Sequence, residues 1–339
     1  MGQICGCIKS QNASSNETEI HLNANQEKVK MAAHAILRAY RQYKERMVNS
    51  KSENDYDKFL KYANEMVSSN QIVQEINQRI GPYKFDPNNL NHLVLKNKTV
   101  LNTGSLYMGF WNPEKNTREG IGIQIWSDGA KYEGNWKDNK ACGKGRLIHC
   151  DGDVYEGSWV QDKAHGKGIY THLDGAKYEG DWSEDKQEGN GTELWPDGAK
   201  YQGIYKDGKK EGKGCFKLAD GSEYLGDFKD NMIHGLGRYS WHDGRIYEGQ
   251  WAGNKMHGRG LFNWPDGRKY EGEYVNDKKE GQGKFTWPDG RIYEGQWLNG
   301  KQDGKGYFKN DKGKIRWGLW KNGKKERWLT DEEIAQIKK

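Results

Sequence analysis

Hydrophobic positions in this chain follow two periods. Over residues 27–80 they recur every three or four residues, as on one face of a helix. The first run is Val29, Ala33, Ile36, Tyr40, Tyr43 and Met47. Tyr56, Phe59, Leu60, Ala63, Met66 and Val67 follow, then Ile72, Val73, Ile76 and Ile80, before Gly81-Pro82 stops the pattern. Farther on the period becomes two. Tyr132, Tyr155, Tyr178, Tyr201, Tyr224, Tyr247, Tyr270 and Tyr293 stand 23 residues apart, each followed by Gly at the second position and an aromatic at the fourth. YEGNW at 132–136 and YLGDF at 224–228 are examples. Residues at i, i+2 and i+4 share one face of a strand. Gly-x-Gly comes next, as at Gly143/Gly145 and Gly166/Gly168, offering two bare positions onto which neighbouring rings can press. Polar clusters such as KDNK at 137–140 predict one hairpin turn. Asp-Gly predicts the return turn, with Gly left-handed.

Each unit therefore reads as a hairpin joined in series to the next. The expected fold is mainly β: an elongated, single-layer antiparallel sheet of 23-residue hairpins, with N-terminal α-helices and a short C-terminal capping helix. The chain divides into a tail (1–26), a helical region (27–80), a connector (81–104), the array (105–328) and the capping helix (329–339). Both ends of the array fray, as terminal repeats do. The first unit, from Tyr107, has a longer hairpin, and the last has Arg316 in the tyrosine position. Thr330 and Glu333 are spaced as a capping box.

The tyrosines, glycines and Asp-Gly turns resemble the MORN repeat (membrane occupation and recognition nexus), whose consensus runs close to YEGEWKNGKxHGKGxxxxPDG. The resemblance spans about 105–328, ten units with both frayed ends, and implies a twisted sheet on the order of 100 Å long. MORN arrays occur in junctophilin-like membrane-contact proteins, radial-spoke heads, cortical and basal-body scaffolds, and beside plant phosphoinositide kinases. Function does not follow from such a fold.

Composition narrows the classes. The formal charge of +6 divides into +4 over residues 1–100 and +2 over the rest, too even for the basic stripe of a nucleic-acid binder. Five cysteines, at 5, 7, 142, 150 and 215, form no disulfide framework and fit a reducing cytoplasm. No stretch is long and apolar enough to span a membrane. Gly-x-Gly recurs once per hairpin and opens no helix, so it is not a phosphate loop, and the kinase signature strings are missing. Cys142, His149 and Cys150 lack metal-ligand spacing, while His165, His234 and His257 share one repeat position and read as structural. No enzyme activity, cofactor or metal is expected. Lys140, Lys163, Lys186, Lys209, Lys255, Lys278, Lys301 and Lys324 also recur. They read as solvated turn residues, with an edge that touches acidic lipids as the alternative.

The N-terminus begins MGQICGCIKS. Gly2 is placed for myristoylation, and Cys5 and Cys7 for palmitoylation beside it, with Gly6 where Ser or Thr is usual. One myristoyl chain grips a membrane only marginally, so the cysteines supply the second signal. The helix at 27–49 is basic and amphipathic, and its AILRAYRQYKER resembles an IQ motif. That resemblance assigns Ile36, Leu37, Tyr40, Arg41 and Arg46 to contact with a calmodulin- or centrin-like protein. Leu37 and Gln42 depart from the motif's Gln and Gly. The expectation is a scaffold or adaptor on the cytoplasmic face of a plasma, cortical or ciliary membrane. Its exposed Tyr/Trp rows would dock an unidentified protein. The alternatives are a structural part of the ciliary axoneme, cytoskeleton or cortex, or a direct phosphoinositide-binding module.

Overall fold

The computed structural model describes residues 31, 34–39, 42, 51–87 and 90–337. Among these, 21 strands form one antiparallel sheet, a meander in which each strand pairs with its neighbours in sequence. It starts with β1 (Val94–Val100), inside the stretch expected to be a connector, which pairs with β2 (Leu106–Asn112). It ends with β20 (Ile315–Lys321) and β21 (Lys324–Trp328). The first unit turns through four residues, 113–116, and from the second unit on the strands within a unit are joined by two-residue turns. Asp138-Asn139, Gln161-Asp162 and Asp230-Asn231 have φ between 48° and 69° at both positions, as the twist of a tight hairpin requires. The return turns place Gly129, Gly152 and Gly175 at φ 91–97°.

The Tyr132 ring lies over Gly134 and its cross-strand partner Gly145. A Cβ on Gly145 would stand 2.3 Å from the tyrosine oxygen, so only glycine fits. The hydroxyl donates to the Asn135 carbonyl at 3.0 Å. Trp136 meets Tyr107 and Tyr132 edge-to-face at 5.5 and 5.1 Å. Its Nε1–H donates to the Gly122 carbonyl of the preceding unit at 3.2 Å. Trp159, Trp182, Trp251 and Trp297 make the same bond at 3.0–3.2 Å. The edge-to-face ladder runs unbroken from Trp111 to Trp320. Each contact contributes ~0.5–1.5 kcal/mol beyond burial.

Two expectations need correcting. The Tyr/Trp rows are buried, not exposed: Tyr201, Tyr224, Tyr247, Tyr270 and Tyr293 are 0% accessible, and Trp136 and Trp159 only 4–6%. Each ring is covered by rings of the adjoining units and of the second strand, such as Phe262 and Phe285. The glycines of Gly-x-Gly are also not equivalent. Pairing passes from Gly157–Gly168 to Ser158–His165, which leaves two extra residues on the second strand. Gly166, in this bulge, has φ 62°, and a side chain there would face Ser158 on the sheet's other face. Only the second glycine lies under a ring.

The other face is mostly charged, but the first units carry Met108, Phe110, Ile121 and Ile123 there. Phe59, Met66, Leu90 and Leu93 bury against them. The helical run after residue 50 is two helices, α1 (Lys51–Ala63) and α2 (Gln71–Ile80). Asn70 explains the break: its Oδ1 caps α2 by accepting from Val73 N at 3.2 Å, while its Nδ2 donates to the Cys150 carbonyl at 3.0 Å. Val73 and Ile76 then bury against Ile148 and Val154. At the other end of the chain, α3 (Asp331–Ile337) carries the expected capping box, with Thr330 N donating to Glu333 at 2.9 Å and Glu333 N to Thr330 Oγ1 at 3.3 Å.

Candidate interaction surfaces

Gly2, Cys5, Cys7, Tyr40, Arg41 and Arg46 lie outside the described residues. Ile36 and Leu37 fall within helical residues 34–39 and are 70% and 52% exposed.

The recurrent lysines follow the hairpin turns and reach acids on the turn of the next unit. Lys186 pairs with Asp207 at 3.0 Å, Lys209 with Asp230 at 2.7 Å, and Lys163 with Glu184. The lysine hydrogen bonds hold the Asp207, Asp230 and Glu184 carboxyls below their ordinary range. This stretch of the edge is therefore charge-balanced. Turn side chains also clasp the preceding unit: Asp162, Asp185 and Asp277 accept from the backbone N–H of Ala141, Ala164 and Met256 at 2.6–2.8 Å. Turn chemistry was legible in the sequence. The clasp across 21 residues was not.

On the charged face, a trough of 1220 Å³ runs beside the strap after α2, between Tyr83 and Lys84 on one side and Arg146, Glu156 and Lys167 on the other. A buried ion triad fixes the strap. Glu133 accepts from Lys131 at 2.8 Å and Arg146 at 2.6 Å, and all three side chains are 3–6% exposed. Arg146 also donates to the Gly81 carbonyl at 2.9 Å. Burial, above all, pushes the Tyr83 hydroxyl up to about 12. No local sequence signal marks this triad, because its partners meet only through the pairing of two strands and a distant helix end.

On the aromatic face, Trp241, Trp264 and Trp287 form a second, half-buried row. Trp241 stacks on Phe262 at 5.3 Å, and Trp264 meets Phe262 at 4.3 Å. Arg245, Arg268 and Arg291 lie over the three indoles at 5.2–5.5 Å. The strings WHDGR and WPDGR were visible in the sequence but signalled only turns. Among the described residues, no group of three or more His, Cys, Asp or Glu side chains could hold a metal ion. No helix among them is long and apolar enough to cross a membrane.

An open meander of serial hairpins, sealed by an internal ladder of rings, defines a β-hairpin repeat protein. Nine consecutive segments, from 107–131 to 293–314, match the MORN repeat, and the chain belongs to the MORN-repeat family, a repeat and scaffold type. The tenth unit, β20 and β21, continues the sheet beyond the match. A search of curated proteins finds no match. Among solved structures, the TCP10 domain of Danio rerio CPAP, in complex with a STIL peptide, is similar at 13% identity and a TM-score of 0.35, covering 69% of this chain and 98% of that one. The Drosophila melanogaster SAS-4 TCP domain is similar at 15% identity and a TM-score of 0.27, covering 57% and 96%. An inactive Staphylococcus aureus virginiamycin B lyase reaches 14% identity and a TM-score of 0.15, covering 71% and 85%.

Proposed function

We propose that this protein is a non-enzymatic scaffold held at the cytoplasmic face of a membrane by acyl chains on Gly2 and on Cys5 or Cys7. Its sheet docks a protein partner, and its basic helix binds a calmodulin-like protein. The observation that supports the tether is the pairing of Lys163, Lys186 and Lys209, in the middle of the lysine row, with carboxylates of the next turn. Lysines already bonded to neighbouring carboxylates attract anionic head groups weakly, so the repeats supply little membrane affinity of their own. The exposed Ile36 and Leu37 support the helix as a partner site.

In cells fed an alkynyl myristate, the wild-type chain should take up label and fractionate with membranes. Gly2→Ala should lose both, and Cys5→Ser/Cys7→Ser should keep the label while part of the protein is released. An unlabelled wild-type chain in the membrane fraction would refute the tether.

A further inference from the structure

Two units, three repeats apart, hold a lysine among aromatic rings in the same register, but the carboxylate that meets it in the first is replaced by a ring in the second. In the earlier unit, Lys210 lies over the rings of Trp195, Tyr201 and Tyr205 at 5.0–5.5 Å. Glu193 satisfies it at 2.6 Å and also accepts from the Tyr205 hydroxyl at 2.9 Å. Sixty-nine residues on, Lys279 occupies the place of Lys210, Tyr274 that of Tyr205, and Phe262 that of Glu193. Lys279 is cross-strand to Tyr274 and sits 4.8–5.1 Å from the centres of Trp264, Tyr270, Phe285 and Trp297. With the carboxylate replaced by a phenyl ring, the Tyr274 hydroxyl is buried without an acceptor. Lys279 has no carboxylate within 4.0 Å among the described residues.

Four rings favour a cation electrostatically, yet they accept no conventional hydrogen bond, so an ammonium among them is poorly satisfied. Burial, with Arg268 nearby, lowers the amine to about 8. The half-buried indoles of Trp264 and Trp287 flank this spot, with Arg268 and Arg291 over them. Each arginine is bonded at 2.7 Å to the aspartate of its own turn. Lys279 is thus the cation in this row that lacks an anion.

We infer that this part of the aromatic face docks an extended segment of a partner protein, whose glutamate or aspartate pairs with Lys279 while apolar neighbours lie against Trp264 and Trp287. Charge complementarity selects an acid, and the flanking indoles select a peptide over a bare anion. The inference rests on the scaffold reading only in taking the partner to be a protein.

The test uses the full chain and a seven-residue blocked peptide, Ala-Leu-Pro-Glu-Pro-Leu-Ala, with its Gln counterpart as control. Tryptophan fluorescence and calorimetry report binding. Lys279→Met is the informative variant because Met256 fills the same position one unit earlier, so the fold tolerates it. Phe262→Glu restores a carboxylate within the chain and should compete with the peptide. The Glu peptide should bind at least about tenfold more tightly than the Gln peptide. Both variants should remove that preference, and the wild-type Lys279 amine should titrate higher when bound. No binding at millimolar peptide, or equal affinity for the two peptides, would overturn the inference. Acetate matching the Glu peptide would also overturn it, by showing an anion site without peptide recognition. None of these outcomes touches the tether, which is read by acyl labelling.

Discussion

At the scale of the residue, glycine chemistry separates positions that look alike in the sequence. Gly168 lies under the Tyr155 ring, where a Cβ would stand 2.3 Å from the hydroxyl oxygen. Gly166 needs a positive φ but has room, its nearest neighbour being Ser158 at 3.4 Å. Asn tolerates left-handed backbone, so Gly166→Asn should cost about 1 kcal/mol or less. Gly168→Asn should cost several times more, because the ring must leave its place. Thermal melts of the two variants compare them directly, and equal shifts would show that the bulge is misplaced. Lys279 gives a second prediction. Its folded pKa of about 8 lies below its ordinary 10.5, so the fold is penalised at neutral pH and the penalty disappears as pH rises through that window. Lys279→Met should therefore stabilise the protein at pH 7, by on the order of 2 kcal/mol. Denaturant titrations at pH 7 and pH 10 should show the gain shrinking at the higher pH.

At the scale of the element, α2 depends on one side chain more than on its own propensity. Asn70→Ala removes the cap to Val73 and the tie to Cys150 together. Loss of a cap costs about 1 kcal/mol, and loss of the half-buried tie to Cys150 adds up to about the same. Hydrogen exchange should accelerate across residues 71–80 while the hairpins from 155 to 314 keep their protection; uniform loss would mean that helices and array unfold as one unit. The element scale also shows what the sequence made legible. Period-two spacing and turn residues gave each hairpin, because both depend on local backbone chemistry. The break at Asn70 was hidden because its apolar neighbours keep helical spacing on both sides. β1 was hidden because LVLKNKTVL carries no glycine and no repeated tyrosine; only pairing with β2 makes it a strand. Helix docking had a signal in LYMGFW and IGIQI, where both faces of the first hairpin are apolar. The Lys279 cage had none, since it requires comparison of units in three dimensions.

At the scale of the whole molecule, stability comes from a ladder whose rungs are phenols. Burial raises the hydroxyls of Tyr155, Tyr224, Tyr247 and Tyr293, and brings Tyr201 to about 12. Each is neutral in the fold and ionises near 10 once unfolded. Their contribution is complete below pH 10 and is lost as pH rises from there through the folded values. The rise from 10.0 to about 12 at Tyr201 alone corresponds to roughly 2–3 kcal/mol. Repeat arrays couple neighbours only, yet every rung carries the same liability, so the array should collapse over a narrow alkaline range. Phenolate absorbance and far-ultraviolet dichroism should change together above pH 10. Independent titration of the tyrosines near 10, with the sheet intact, would contradict the buried ladder.

On the function proposed here, membrane attachment belongs to acyl chains on Gly2 and on Cys5 or Cys7, and the array adds little to it. Vesicle flotation of the full chain tests that division most directly, with and without enzymatic N-myristoylation, at physiological salt and ordinary anionic lipid content. The unmodified chain should remain at the bottom of the gradient, and the myristoylated chain should float in part, as a single acyl chain allows. Equal flotation of both forms would contradict the account and return the membrane-binding role to the repeats.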